Sequence, residues 1–157
     1  RLLPEAYRNS FSPSEAIADA FAAEGFSVVA GDALADLYIV NTCTVTSKAE
    51  QKARRMIRKY ATEGQRPTVV VTGCYAQMER SAIEALAERV VVVSLDRKSS
   101  LLGLPAFLGT RLVAGIDVLE AVRSYAAQHE SGGERDAFAY AAATFSYHSR
   151  AFLKIQD

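Results

Sequence analysis

The chain has two cysteines, Cys43 and Cys74, and both follow the same kind of segment. Residues 38–46 read YIVNTCTVT and residues 69–77 read VVVTGCYAQ. Each is a short, β-branched apolar run that stops at a small polar residue or a glycine and then presents a thiol. Such runs between turn formers read as buried strands. In open α/β sheets, ligands sit outside the carboxyl ends of the strands. One cysteine alone is often a small buried hydrophobe. Two at the same topological point form a candidate site. A thiolate is both a nucleophile and a metal ligand. Cys43 lies just ahead of a helix start, where the backbone dipole favours negative charge. Three chemistries suit the pair. Iron–sulfur ligation uses three or four thiolates. Structural zinc wants four closed ligands, and only the remote His129 and His148 could add to the two thiols. A redox disulfide is the third, although the C-x-x-C spacing is absent. Spacing leaves all three open, and both histidines read as surface residues.

The surrounding elements must bring these ends together. Ser12, Pro13 and Glu15 open a helix as cap, first-turn proline and capping-box partner. Ala16, Ile17, Ala20 and Phe21 form its buried stripe, and Gly25 ends it. A short strand is expected over residues 26–30, a turn at Gly31 and Asp32, and the first cysteine strand over 36–42. A helix follows over about 48–60. Its apolar face is Ala49, Ala53, Met56, Ile57 and Tyr60. Its other face carries Lys48, Lys52, Arg54, Arg55, Arg58 and Lys59, offset only by Glu50. That imbalance can attract phosphates, although a solvated charged face is the plainer reading. The second cysteine strand spans 68–72, a helix is expected over 78–88, and a further strand over 90–93. Past Lys98 the pattern weakens. Gly103 and Pro105 interrupt a short helix over 101–108, and residues 117–129 read as a helix with Val118, Val122 and Tyr125 inward. Residues 131–136 form a loop, and 145–157 alternate like a strand. Strands alternating with helices predict a three-layer α/β fold, a mostly parallel sheet with helices on both faces.

The totals set the frame. There are 157 residues, enough for one domain with a core. Lys+Arg and Asp+Glu are both 18, so contact with RNA would need a local patch or another domain. Two cysteines make no disulfide framework, and no signal peptide or bilayer-length apolar stretch is present, which points to a cytoplasmic protein without membrane contact. The first residue is Arg1 rather than methionine, and the last strand-like stretch has no following turn. The expectation is therefore a piece of a longer polypeptide. Residues 1–130 would form the domain. Residues 131–157 would form a linker and the lead-in strand of a truncated next domain.

Asn41, Thr42, Cys43, Thr44, Val45 and Thr46, then a basic helix, then Thr72, Gly73, Cys74, Tyr75, Ala76 and Gln77 closely resemble the N-terminal domain of the methylthiotransferases. Residues 148–157, HSRAFLKIQD, look like the segment that leads that family into its CxxxCxxC radical motif. The resemblance is strong over about 12–77 and at the terminus, and weak over about 98–147. Its wording is most like the branch that acts on N6-threonylcarbamoyladenosine in tRNA.

The resemblance implies a radical S-adenosylmethionine enzyme that adds a methylthio group to C2 of that adenosine, near the anticodon. S-adenosylmethionine and a second 4Fe–4S cluster would belong to the radical domain. An RNA-binding domain would complete the polypeptide, and this chain would catalyse nothing alone. It further implies an auxiliary 4Fe–4S cluster on three cysteines, of which Cys43 and Cys74 match the second and third. The first would fall on Ala6 or Tyr7, neither of which ligates iron as cysteine does. Asn41 and Gln77 would hydrogen-bond beside the cluster, and Lys52, Arg54, Arg55 and Arg58 would face tRNA. The rival expectation is a non-catalytic α/β module with structural or redox cysteines.

Overall fold

The computed structural model describes residues 2–4, 13–29, 34–42 and 46–130. Four parallel strands lie side by side in chain order: β1 (Leu2–Pro4), β2 (Leu37–Thr42), β3 (Thr68–Gly73) and β4 (Val90–Val92). The helices are α1 (Pro13–Ala23), α2 (Ser47–Thr62), α3 (Cys74–Met78), α4 (Arg80–Glu84), α5 (Leu104–Val113) and α6 (Val118–Glu130). A 3-10 helix, Leu95–Leu102, follows β4.

Alternation along the strands divides the interior in two. Leu37, Ile39, Val70 and Val91 face one way and pack with Ile17 and Phe21 of α1, Leu101, Leu104 and Leu108, and Val122 and Tyr125 of α6. Tyr38, Val40, Val69, Val71, Val90 and Val92 face the other way, against Ala53, Ile57 and Tyr60 of α2, Tyr75 and Ala76 of α3, and Ile83 of α4. This is the three-layer α/β arrangement expected from the alternating elements. Every residue of β3 is buried, which is why it reads as a continuous apolar run rather than an alternating one.

Helix α2 buries the stripe its spacing predicts. Tyr60 stacks on Tyr38, with ring centroids 4.5 Å apart and an interplanar angle of 11°. Thr46 caps the helix, its Oγ1 accepting from the Ala49 amide at 3.1 Å. Thr46→Ala leaves that amide unpaired and is expected to cost about 1 kcal/mol of stability in urea denaturation. An unchanged midpoint would show that water replaces the cap fully.

Three expectations need correction. The stretch 26–29 forms only an isolated bridge at Val28. Beside β2 the sheet takes β1 instead, pairing Leu2 with Leu37, Leu3 with Tyr38 and Pro4 with Ile39. Pro4 is tolerated there because an edge strand can do without one N–H. The helix expected over 78–88 starts earlier, at Cys74, and breaks at Glu79, whose φ of −123° and ψ of 37° are not helical. Gly73, at φ +106°, ends β3 and turns the chain directly into α3. Finally, Pro105 does not interrupt a helix but sits in the first turn of α5, where no N–H is missed. Gly103 precedes it because a Cβ there would lie 2.6 Å from the Tyr125 hydroxyl, which donates to the Ser100 carbonyl at 2.6 Å. The proposed linker and lead-in strand, 131–157, lie outside the described residues.

Candidate metal centre at the carboxyl edge of the sheet

β2 and β3 run in register to their ends, Asn41 opposite Thr72 and Thr42 opposite Gly73. The residues immediately before the two cysteines are therefore neighbours. Cys43, Ala6 and Tyr7 lie outside the described residues. Cys74 is a free, partly exposed thiol at the first position of α3.

The junction is held by Thr42. Its Oγ1 donates to the Thr72 carbonyl at 2.7 Å and accepts from the Ala76 amide at 3.3 Å, tying β2 to both β3 and α3. Asn41 lies over the same turn. Its Oδ1 is 2.9 Å from where a Cβ on Gly73 would sit. Asn41 is thus at the turn from β3 into α3, and Gln77 is exposed on α3. Tyr75, fully buried, accepts a hydrogen bond from Arg54 Nε of α2, and the Arg54 guanidinium lies 5.7 Å from its ring centroid.

That contact divides the basic helix. Arg54 is turned in toward the cysteine turn, while Lys52, Arg55 and Arg58 are exposed. Lys48, Lys52, Arg55 and Lys59 recur at helical spacing opposite Ala53, Ile57 and Tyr60. Lys59 pairs with Glu63 at 3.5 Å.

Sequence reasoning missed two groups here. Lys98, in the 3-10 helix, is only 5% exposed. Burial pushes its ammonium below the usual lysine range, and the charge of Cys74 pulls it back up. The hydroxyl of Thr72 is buried without a hydrogen-bond partner. Lys98 lies beyond the carboxyl end of a strand just as the cysteines do, and that position was the available signal.

Among the described residues, no three His, Cys, Asp or Glu side chains gather as a metal cluster. Cys74 offers the ligand type that iron–sulfur groups use, a soft, partly exposed thiol, with a buried cation on the adjoining 3-10 helix and a buried hydroxyl two residues earlier on β3. The thiol count falls short, with two cysteines in the chain against the three the resemblance implies.

The fold and site define a class: a parallel α/β domain that brings cysteine-bearing strand ends together at one edge. Residues 8–94 match the model of the Uncharacterized protein family UPF0004, and the chain belongs to that family. It is 45% identical over 103 residues to the threonylcarbamoyladenosine tRNA methylthiotransferase MtaB of Treponema pallidum, covering 64% of this chain and 21% of that protein. It is 38% identical over 82 residues to the MtaB of Aquifex aeolicus, covering 52% and 20%. It is 40% identical over 80 residues to the tRNA-2-methylthio-N(6)-dimethylallyladenosine synthase of Sphingopyxis alaskensis, covering 50% and 18%. The chain thus spans about a fifth of the length of these relatives. The resemblance to the N-terminal domain of the methylthiotransferases, which the two cysteine motifs suggested, is borne out by these matches. No solved structure matches.

Proposed function

We propose that this domain serves a tRNA methylthiotransferase of the threonylcarbamoyladenosine branch, holding an auxiliary iron–sulfur cluster through Cys43 and Cys74. The observation that carries the reading is the register of Thr42 with Gly73, which sets the residues ahead of both thiols side by side. The similarity to proteins named for that activity supports the branch. When bound, the cluster would supply iron for carrying sulfur to C2 of the adenosine. The chain's own residues then have separate tasks. Thr42 and Gly73 fix the distance between the strand ends, and Asn41 covers the turn. The radical step, with S-adenosylmethionine and its own cluster, belongs to further domains of a longer polypeptide, which works in the cytoplasm. No helix among the described residues is long and apolar enough to cross a membrane.

Anaerobic reconstitution with iron and sulfide tests this. An absorbing cluster in the chain, lost in both Cys43→Ala and Cys74→Ala, is the expected result. No retained iron, with the two thiols joined as a disulfide, would replace it with the redox-module reading.

Lys52, Arg55 and Arg58 form the tRNA-facing stripe. Reversing all three to glutamate should weaken binding of an anticodon arm by about tenfold at low salt and flatten the salt dependence. Equal affinity would remove α2 from the interface. Arg54→Glu acts differently, because it unpairs the Tyr75 hydroxyl and should lower stability rather than the salt slope.

A further inference from the structure

The 3-10 helix Leu95–Leu102 packs against both β3 and α3. It carries Lys98, 5% exposed, against the helix that begins at Cys74. An ammonium withdrawn from water is costly unless an anion faces it. Among the described residues, Lys98 has neither a carboxylate nor a hydrogen-bond partner. The acid whose charge it meets is the Cys74 thiol. Thr72 supplies a second, independent observation. Its side chain shares the sheet face of Val70, the face on which Leu101 of the same 3-10 helix packs. Its hydroxyl is fully buried and donates to nothing. A cation and a hydroxyl, both buried and both without an acceptor, thus sit on the 3-10 helix and the strand that meet at the start of α3, where Cys74 stands. Buried donors are nearly always satisfied, so this pair awaits an anionic acceptor.

We propose that Lys98 is a positioning residue that holds a negatively charged sulfur group on Cys74, with the Thr72 hydroxyl as the hydrogen-bond donor beside it. The inference rests on the reading of Cys74 as the anchor of such a group. Cysteine-bound iron–sulfur clusters carry net negative charge, and nearby charge and hydrogen bonds to sulfur set their affinity and potential. One positive side chain would therefore favour retention of the group and ease its reduction.

The field of Lys98 at the thiol is measurable without any cluster. In a Cys43→Ala chain, which leaves one thiol, Cys74 is reacted at a single pH with the anionic disulfide dithionitrobenzoate and with neutral dithiodipyridine. The thiolate fraction enters both rates, so their ratio reports the local charge. Lys98→Met should lower the anionic-to-neutral ratio by about fivefold, and Lys98→Gln by a similar factor. Lys98→Arg should keep it. An unchanged ratio in the two neutral variants overturns the proposal. Iron–sulfide reconstitution of the chain with both cysteines separates this result from the cluster reading. Lost ratio together with lower iron retention and a more negative reduction potential in Lys98→Met supports both. Lost ratio with no iron retained by any chain keeps the anion-holding role and removes the cluster. Iron retained equally at an unchanged potential, with an unchanged ratio, keeps the cluster and removes Lys98.

Discussion

Gly73→Ala is expected to destabilise the domain by about 4 kcal/mol, the largest loss among the described glycines. An ideal Cβ at Gly73 would lie 2.0 Å from the Thr42 carbonyl oxygen, 2.8 Å from the Thr42 nitrogen and 2.9 Å from Asn41 Oδ1. The first two are backbone atoms and cannot swing aside. The dihedrals add to the clash, since φ +106° with ψ −176° lies in a region almost reserved for glycine. Relief would require β2 and β3 to part at their ends, where Thr42 Oγ1 bonds both the Thr72 carbonyl and the Ala76 amide. The substitution therefore strikes the fold and the site together, since the strand ends that precede both thiols would separate. Urea denaturation by circular dichroism measures the loss. A loss under about 1 kcal/mol would mean that the strand ends are not held as described.

Lys98→Met should act in the opposite direction, raising stability by about 2 kcal/mol at neutral pH. The side chain is 5% exposed, and methionine fills similar space without a charge to desolvate. The pH dependence distinguishes this cause from better packing. Burial lowers the folded-state value of Lys98 below that of the unfolded chain, about 10.4. The unfolded state thus binds more protons between the two values, and stability rises with pH across that window. Below the folded value the penalty is complete. The advantage of Lys98→Met should accordingly be full at lower pH and shrink as pH climbs toward the ordinary lysine range. Denaturant midpoints for both proteins across that range provide the measurement. A gain that does not vary with pH would assign the effect to packing, and a loss would show that the ammonium already has a strong partner.

A buried ammonium that costs stability is typical of sites where function outweighs stability. It also explains what the sequence could and could not reveal. The ends of β2 and β3 were legible because uninterrupted β-branched runs have few alternatives to a buried parallel strand. The buried face of α2 was legible for the same kind of reason, since Ala53, Ile57 and Tyr60 recur at helical spacing. β1 was not, because three residues ending in Pro4 give no periodicity. The start of α3 was hidden because a glycine after a strand announces a turn but not the element beyond it. Lys98 stands among Asp96, Arg97, Ser99 and Ser100, a stretch whose composition reads as solvent-exposed, and only the docking of the 3-10 helix onto β3 and α3 buries it. By charge Arg54 belongs with its basic neighbours, but the Tyr75 hydroxyl across the layer decides where it points.

β3 is paired on both sides and covered on both faces. Its amides belong to the part of a protein that exchanges with solvent only when the whole molecule opens. Cys74 is separated from that strand by no loop, because α3 begins where β3 ends. The thiol is therefore anchored to the slowest-opening segment of the chain. Local fraying, which releases residues borne on loops, cannot carry it away from its neighbours. Whatever Cys74 holds, its geometry should last as long as the sheet itself.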